Sequence, residues 1–197
     1  MLGRHLLYQS GPPIPVGEKW TFTSDGSWVA PANGNYKITL VGAGGKGGSG
    51  CEWDDYRRSA SGGGGGAGQT IIQAYTLKKD TELVITIGQP NSGSSKISGA
   101  ISLTANGGDP GGSAYVDGRG KSVYGGVAAK YGTGGANGYR SDRDNHSPVG
   151  GAGKVSDYGN GYGAGGRGGH GQWNNGTFYT GYNGTAGICV IEYLGRR

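Results

Sequence analysis

Glycine constrains this chain before anything else does. It supplies 48 of the 197 residues, and 42 of those fall between Gly42 and Gly187. Glycine has no side chain to bury and loses the most backbone freedom on folding. Such a stretch orders itself only if its backbone N–H and C=O groups find partners. Extended segments of polyproline II geometry, three residues a turn, offer a way: with no Cβ between them they lie side by side and exchange N–H···O and Cα–H···O contacts. The runs GGGGGAG (62–68), VGGAG (149–153) and GAGGRGGHG (163–171) suit that packing, and flexible linkers are the competing reading. Collagen is excluded, because no G-X-Y register is sustained and there are only 7 prolines.

Residues 42–47, GAGGKG, fit the spacing of a dinucleotide-binding turn after a strand. That motif needs a helix to open on the pyrophosphate. The residues that follow, KGGSGCEWDDYRRSASGGGGG, have no apolar helical period, so the nucleotide reading fails. The GRGKS of 118–122 ends like a phosphate loop, but Tyr115 stands where the first glycine is required.

The ends of the chain read differently. Residues 1–18, with Pro12, Pro13 and Pro15, form an extended arm, either a free tail or an attachment segment. From Lys19 alternation sets in over KWTFTS, SWVAP and NYKITLV, and Asp25-Gly26 and Asn33-Gly34 read as hairpin turns between them. QTIIQAYTL (69–77) and ELVITIG (82–88) follow, joined by a turn at Lys79-Asp80, then a weaker AISLTA (100–105) and a closing GICVIEYL (187–194). Strands at both ends of the sequence should pair, gathering the termini at one pole with the glycine-rich middle projecting away. The expected fold is all-β: a small, jelly-roll-like β-sandwich base (19–41, 69–105, 187–194) within a domain spanning 19–197. Glycine-rich loops, of extended or polyglycine II segments, fill 42–68 and 106–186.

No apolar run is long enough to span a bilayer, so no membrane insertion is expected. The N-terminal apolar stretch is too short for a signal peptide, which predicts synthesis in a cytoplasm. The net charge of +5 suits loose attraction to an anionic surface. Cys51 and Cys189 leave a disulfide open.

The ordered set WTFTSDGSWVAP, KITLVGAGGKGG, GGGGGAGQTIIQAYTL, ELVITIG, AISLTANGG and GTAGICVIEYL resembles the glycine-rich domain of bacteriophage tail fibre and receptor-binding proteins. The resemblance covers about residues 19–194. It implies a virion protein whose variable loops contact a receptor on the bacterial surface, a glycan or an outer protein. It also implies a homo-oligomer, a trimer by resemblance, with other fibre or baseplate subunits docked through residues 1–18. The charged and aromatic residues that interrupt the middle argue against a regular glycine lattice.

Four non-glycine segments are the candidate contact surfaces: 51–59, with Trp53, Asp55, Tyr56, Arg57 and Arg58; 115–124; 139–148, with Tyr139, Arg140, Asp142, Arg143, Asp144 and His146; and 172–182, with Trp173, Asn174, Asn175, Phe178, Tyr179 and Tyr182. Rings stack on the apolar faces of sugars while Asn, Asp and Arg bond hydroxyls, and the same mixture serves protein binding. Small satellite cores between glycine layers are the alternative use for these aromatics. The 142–146 cluster lacks the spacing of a calcium loop, and His5, His146 and His170 lack zinc spacing, so neither metal nor cofactor is expected. No nucleophile elbow is present and no enzyme is expected. A baseplate or fibre connector is the alternative function. Nucleic-acid binding through GRGK and GGRGGHG is disfavoured, because acidic residues interleave with the basic ones.

Overall fold

The computed structural model describes residues 13–53, 58–116, 123–124, 151–159, 161–169 and 179–196. Among them there is no helix. The strands are β1 (Lys19–Phe22), β2 (Gly26–Val29), β3 (Gly34–Val41), β4 (Cys51–Trp53), β5 (Arg58–Ala60), β6 (Thr70–Leu77), β7 (Glu82–Thr86), β8 (Ser95–Gly99), β9 (Leu103–Ala105), β10 (Tyr115–Val116), β11 (Val123–Tyr124) and β12 (Ile188–Gly195). Two antiparallel four-stranded sheets, ordered β1-β12-β3-β6 and β2-β7-β8-β9, pack face to face as a small sandwich. The pairing of chain ends expected from sequence is present: β12 lies between β1 and β3, with Ile191 opposite both Trp20 and Ile38.

The core follows from alternation. Tyr36, Ile38 and Leu40 of β3 point inward with Cys189, Ile191 and Tyr193 of β12, and meet Leu83, Ile85 and Ile97 from the other sheet. At one end Trp28 stands edge-on to Tyr36, with ring centroids 5.2 Å apart. Trp20 and Tyr193 close this aromatic cluster at 5.4 Å from Trp28 and 5.1 Å from Tyr36.

Two turns differ from expectation. Asp25-Gly26 and Asn33-Gly34 close no hairpin: β1 and β3 belong to one sheet, and β2 between them belongs to the other. The turn expected at Lys79-Asp80 is present, and it carries the chain from β6 across to β7 in the other sheet. Polar groups tie these crossings together. The Asp25 carboxylate accepts from the Ile87 N–H at 2.7 Å, and Asn33 Oδ1 accepts from the Lys79 N–H at 2.7 Å. Asp80 sits in the left-handed region at φ 64°; its N–H donates to the Ala30 carbonyl, and the Ala30 N–H donates to the Thr81 carbonyl. The rings of Trp20 and Trp28 meet across the sandwich, which a hairpin within one sheet would not allow.

The strand expected over 100–105 is shorter, Leu103–Ala105, and pairs with β8, which the sequence pattern does not announce. Ser95 and Ile97 of β8 both point inward, but only Ile97 is apolar, so its five residues show no hydrophobic alternation in sequence.

Every strand of the sandwich has one end facing the glycine-rich segments and the other at an opposite pole. Residues 13–18 lie at that pole against the end of β12, where the Gly17 N–H donates to the Tyr193 carbonyl and the Tyr193 N–H to the Glu18 carbonyl. With Arg196, Pro31 and Tyr193, Pro13, Ile14 and Val16 border a groove of about 710 Å³ there.

Candidate functional site

The described residues of the glycine-rich middle are ordered, and their order has a period of three. The N–H groups of Gly42, Gly45 and Gly48 donate to Gln69, Gly66 and Gly63. Those of Gly44, Gly47 and Gly50 donate to Thr185, Tyr182 and Tyr179. The carbonyls of Ala43, Lys46 and Ser49 accept from Gly108, Gly111 and Ala114. One extended segment thus bonds different neighbours through successive residues, as threefold helices of polyglycine II type do. The same stride links 61–69 to 163–169 (Gly62 to Gly169, Gly65 to Gly166, Gly68 to Gly163) and 163–169 to 151–154 and 179–187. Six segments, 42–50, 61–69, 106–114, 151–154, 163–169 and 179–187, form one bundle.

This explains which positions must be glycine. Residues 42–50 divide into GAG, GKG and GSG. A Cβ on Gly45 or Gly48 would collide with the carbonyl of Asp109 or Gly112, and one on Gly44 or Gly47 with that of Ala164 or Arg167. Of the middle residues, Lys46 and Ser49 are partly exposed and Ala43 is buried. Residues 179–187 divide into YTG, YNG and TAG, and a Cβ on Gly181, Gly184 or Gly187 would strike the carbonyl of Gly47, Gly44 or Val41. The innermost segment, 61–68, is wholly buried, and all its residues but Ser61 and Ala67 are glycine. The charged and aromatic interruptions therefore do not prevent a regular lattice, contrary to the sequence expectation: within the described segments they occupy the triplet positions that face outward. The N–H groups of Gly42, Gly44, Gly45 and Gly47 are bonded within the bundle and that of Ala43 to Gly93, so they are not a phosphate cradle.

Ser95 ties the two sheets of the sandwich together at the end that meets the bundle, where a Cβ on Gly187 would strike its hydroxyl. Its buried hydroxyl donates to the Val41 carbonyl at 2.6 Å and accepts from the Gly88 N–H at 2.9 Å. The loop after β7 also wedges against the bundle: the N–H groups of Asn91 (φ 72°) and Ser92 (φ 84°) both reach the Gly44 carbonyl.

The 42–50 segment runs away from β3 for about 28 Å at the polyproline II rise and ends in β4. There two short ribbons, β4–β5 and β10–β11, lie side by side, with Cys51, Ala60 and Ala114 buried between them. The candidate segments are rooted at this far end. Ribbon β4–β5 carries Trp53 opposite Arg58, and Asp55, Tyr56 and Arg57 lie outside the described residues. Tyr124 and Gly151, which flank 125–150, both stand at the far end, and so do Gly169 and Tyr179, which flank 170–178. Tyr139, Arg140, Asp142, Arg143, Asp144, His146, Trp173, Asn174, Asn175 and Phe178 lie outside the described residues. Tyr179 and Tyr182 are described, and they belong to the bundle itself, at first positions of successive triplets, with 39% and 56% of their surface exposed.

The thiols are inert. Burial pushes Cys189 up to about 12 and raises Cys51 as well. The two stand at opposite ends of the bundle, both free, so the disulfide left open by the sequence does not form. Among the described residues no three His, Cys, Asp or Glu side chains gather as metal ligands. What the arrangement offers is a stiff backbone-bonded stalk with Tyr179 and Tyr182 exposed along its side. No protein-family model matches the chain, and no curated protein matches it.

Proposed function

We propose that this chain is the receptor-binding domain of a phage-type tail fibre, carried on the virion and contacting a glycan or outer protein of the bacterial surface. One observation carries the reading: all four non-glycine candidate segments are rooted at the end of the bundle farthest from the pole where residues 13–18 and the end of β12 meet. Binding residues concentrate on loops held by a rigid scaffold. The glycine bundle is such a scaffold, and it separates an attachment pole from a contact end. The groove at that pole supports docking of a neighbouring fibre or baseplate subunit through residues 1–18. A homotrimer would multiply weak single contacts into avidity.

The test is binding of fluorescently labelled protein to a panel of bacterial strains, against a variant in which 139–148 and 172–178 are replaced by Gly-Ser linkers of equal length. Tyr179 to Tyr182 are kept, because they hold the bundle. Binding to some strains, lost in the variant, is the expected result. No binding to any strain by a folded multimer would move the assignment to a baseplate or fibre connector.

A further inference from the structure

Tyr179 and Tyr182 are not loop residues, and this gives them a geometry that no loop supplies. With three residues a turn, positions 179, 182 and 185 share one face, spaced by about 9 Å at the polyproline II rise. The face is identified by its third member: Thr185 Oγ1 accepts from the Ala164 N–H at 2.7 Å, so the row looks out beside the 163–169 segment. The Tyr182 N–H donates to the Arg167 carbonyl and the Thr185 N–H to the Ala164 carbonyl, so the two segments run in register. A Cβ on Gly166 or Gly169 would strike the carbonyl of Tyr182 or Tyr179, so the segments touch and no cleft opens between them. The other outward positions of the 179–187 segment, Thr180 and Asn183, hold no ring. The two exposed tyrosines of this segment therefore share one face, one turn apart.

The geometry points to a linear polysaccharide lying along this side of the bundle, its sugars stacked on Tyr179 and Tyr182, as a second contact surface beside the loops at the far end. The inference rests on the proposed receptor-binding role and specifies the ligand class. Two rings held about 9 Å apart match a ligand whose units recur along an extended chain. The interval spans more than one pyranose, so the two rings would take alternate sugars of an extended chain. A face without a cleft suits the apolar side of a sugar ring and offers an inserted protein side chain no pocket. The backbone lattice holds the interval fixed before the ligand arrives, which removes the ordering cost a loop would carry.

The test uses the purified surface polysaccharide of a strain that the wild-type chain binds, cut into oligosaccharides of graded length. Wild-type affinity should step up once the oligosaccharide is long enough to cover both rings. Y179A and Y182A should each lower affinity by about tenfold. The decisive variant exchanges neighbours, Y182N with N183Y: composition and exposure are preserved while the ring moves to another face, and it should lose as much as Y182A. Equal thermal melting of all variants keeps folding out of the comparison. Wild-type-strength cell binding by the exchange variant would overturn the side face and leave the far-end loops as the receptor site. Ring-dependent cell binding without binding to the polysaccharide would overturn the ligand class in favour of a protein. Failure of the wild-type chain to bind any strain would overturn the receptor-binding reading and this inference together.

Discussion

The sandwich and the glycine bundle answer the same demand, that buried backbone groups be paired, by opposite means. In the sandwich, ladder hydrogen bonds form between strands whose side chains then fill the interior, with Tyr36, Ile38, Leu40, Leu83 and Ile191 excluding water. In the bundle the interior is backbone: Gly62, Gly65 and Gly68 lie against the carbonyls of Gly48, Gly45 and Gly42 with no side chain between. The difference teaches where each region tolerates change. A core of side chains absorbs a swap of similar volume. A core of backbone admits nothing beyond hydrogen at its contact positions, yet leaves each outward triplet position open to almost any residue. A surface can therefore be varied on this stalk without disturbing what holds it together.

The comparison breaks most visibly at the centre of the bundle. Gly65→Val would place a branched side chain on the Gly45 carbonyl with backbone on every side, and should cost more than about 4 kcal/mol, beyond ordinary overpacking. Hydrogen exchange should show protection lost across 42–50 and 61–69. The near-ultraviolet signal of the Trp20, Trp28 and Tyr36 cluster should survive, since those rings pack at the far pole of the sandwich. Loss of both signals together would mean that sandwich and bundle form one cooperative unit. Leu83→Ala makes the converse attack. Leu83 is fully buried between the sheets, and its truncation should cost about 2–5 kcal/mol in chemical denaturation.

Ser95→Ala tests the joint. It leaves the Gly88 N–H and one bond of the Val41 carbonyl unmet in a buried place, at a cost of about 1–3 kcal/mol. If the two regions are coupled there, melting followed through the bundle and through the sandwich should separate in this variant. Coincident transitions shifted by less than a few tenths of a kcal/mol would show that Ser95 is not the coupling.

A smaller effect separates the regions by acid. Glu192 on β12 bonds Lys37 at 2.7 Å and stands 3.8 Å from Lys19, chiefly through Lys37 holding its carboxyl below the usual 4.5. A carboxyl depressed by folding stabilises the folded chain above its unfolded pKa, and that contribution is lost as pH falls through the folded value. Titrating downward from pH 5 should weaken the sandwich in the wild type, and Glu192→Gln should flatten the slope. An unchanged slope in the variant would assign the acid sensitivity to other carboxylates. The bundle contacts are amide to carbonyl and should show no such dependence.

How much of this was legible follows from which atoms carry the information. Strands such as β3 and β12 were readable because alternation of Tyr36, Ile38 and Leu40 records which face is inside. Their assignment to two sheets was not, because Asp25-Gly26 and Asn33-Gly34 look the same whether the chain doubles back or crosses over. β8 has one inward apolar residue, Ile97, and so writes no pattern. In the bundle the signal was present in another form. GAG-GKG-GSG and YTG-YNG-TAG show the period of three, and the fit of GAGGKG to a nucleotide turn is a by-product of that period. Reading the triplets would have placed Tyr179, Tyr182 and Arg167 on outward positions and assigned Ser95 nothing, since a junction depends on contacts 54 residues apart.

The smallest expected effect is the most specific check on that triplet rule. Lys46 and Gly47 are neighbours in sequence and in the same segment, but they differ in what their Cβ positions meet. Lys46→Ala keeps the backbone carbonyl that accepts from the Gly111 N–H, and should change stability by less than about 0.5 kcal/mol. Gly47→Ala adds the same methyl one position on, where the Arg167 carbonyl already stands, and should be destabilising enough to register as a lowered melting temperature. Helix or strand propensity would rank the pair the other way, since glycine to alanine ordinarily stabilises where the backbone permits it. A bundle in which both substitutions were silent would be a flexible glycine linker, and the two rings along its side would have no frame to hold them.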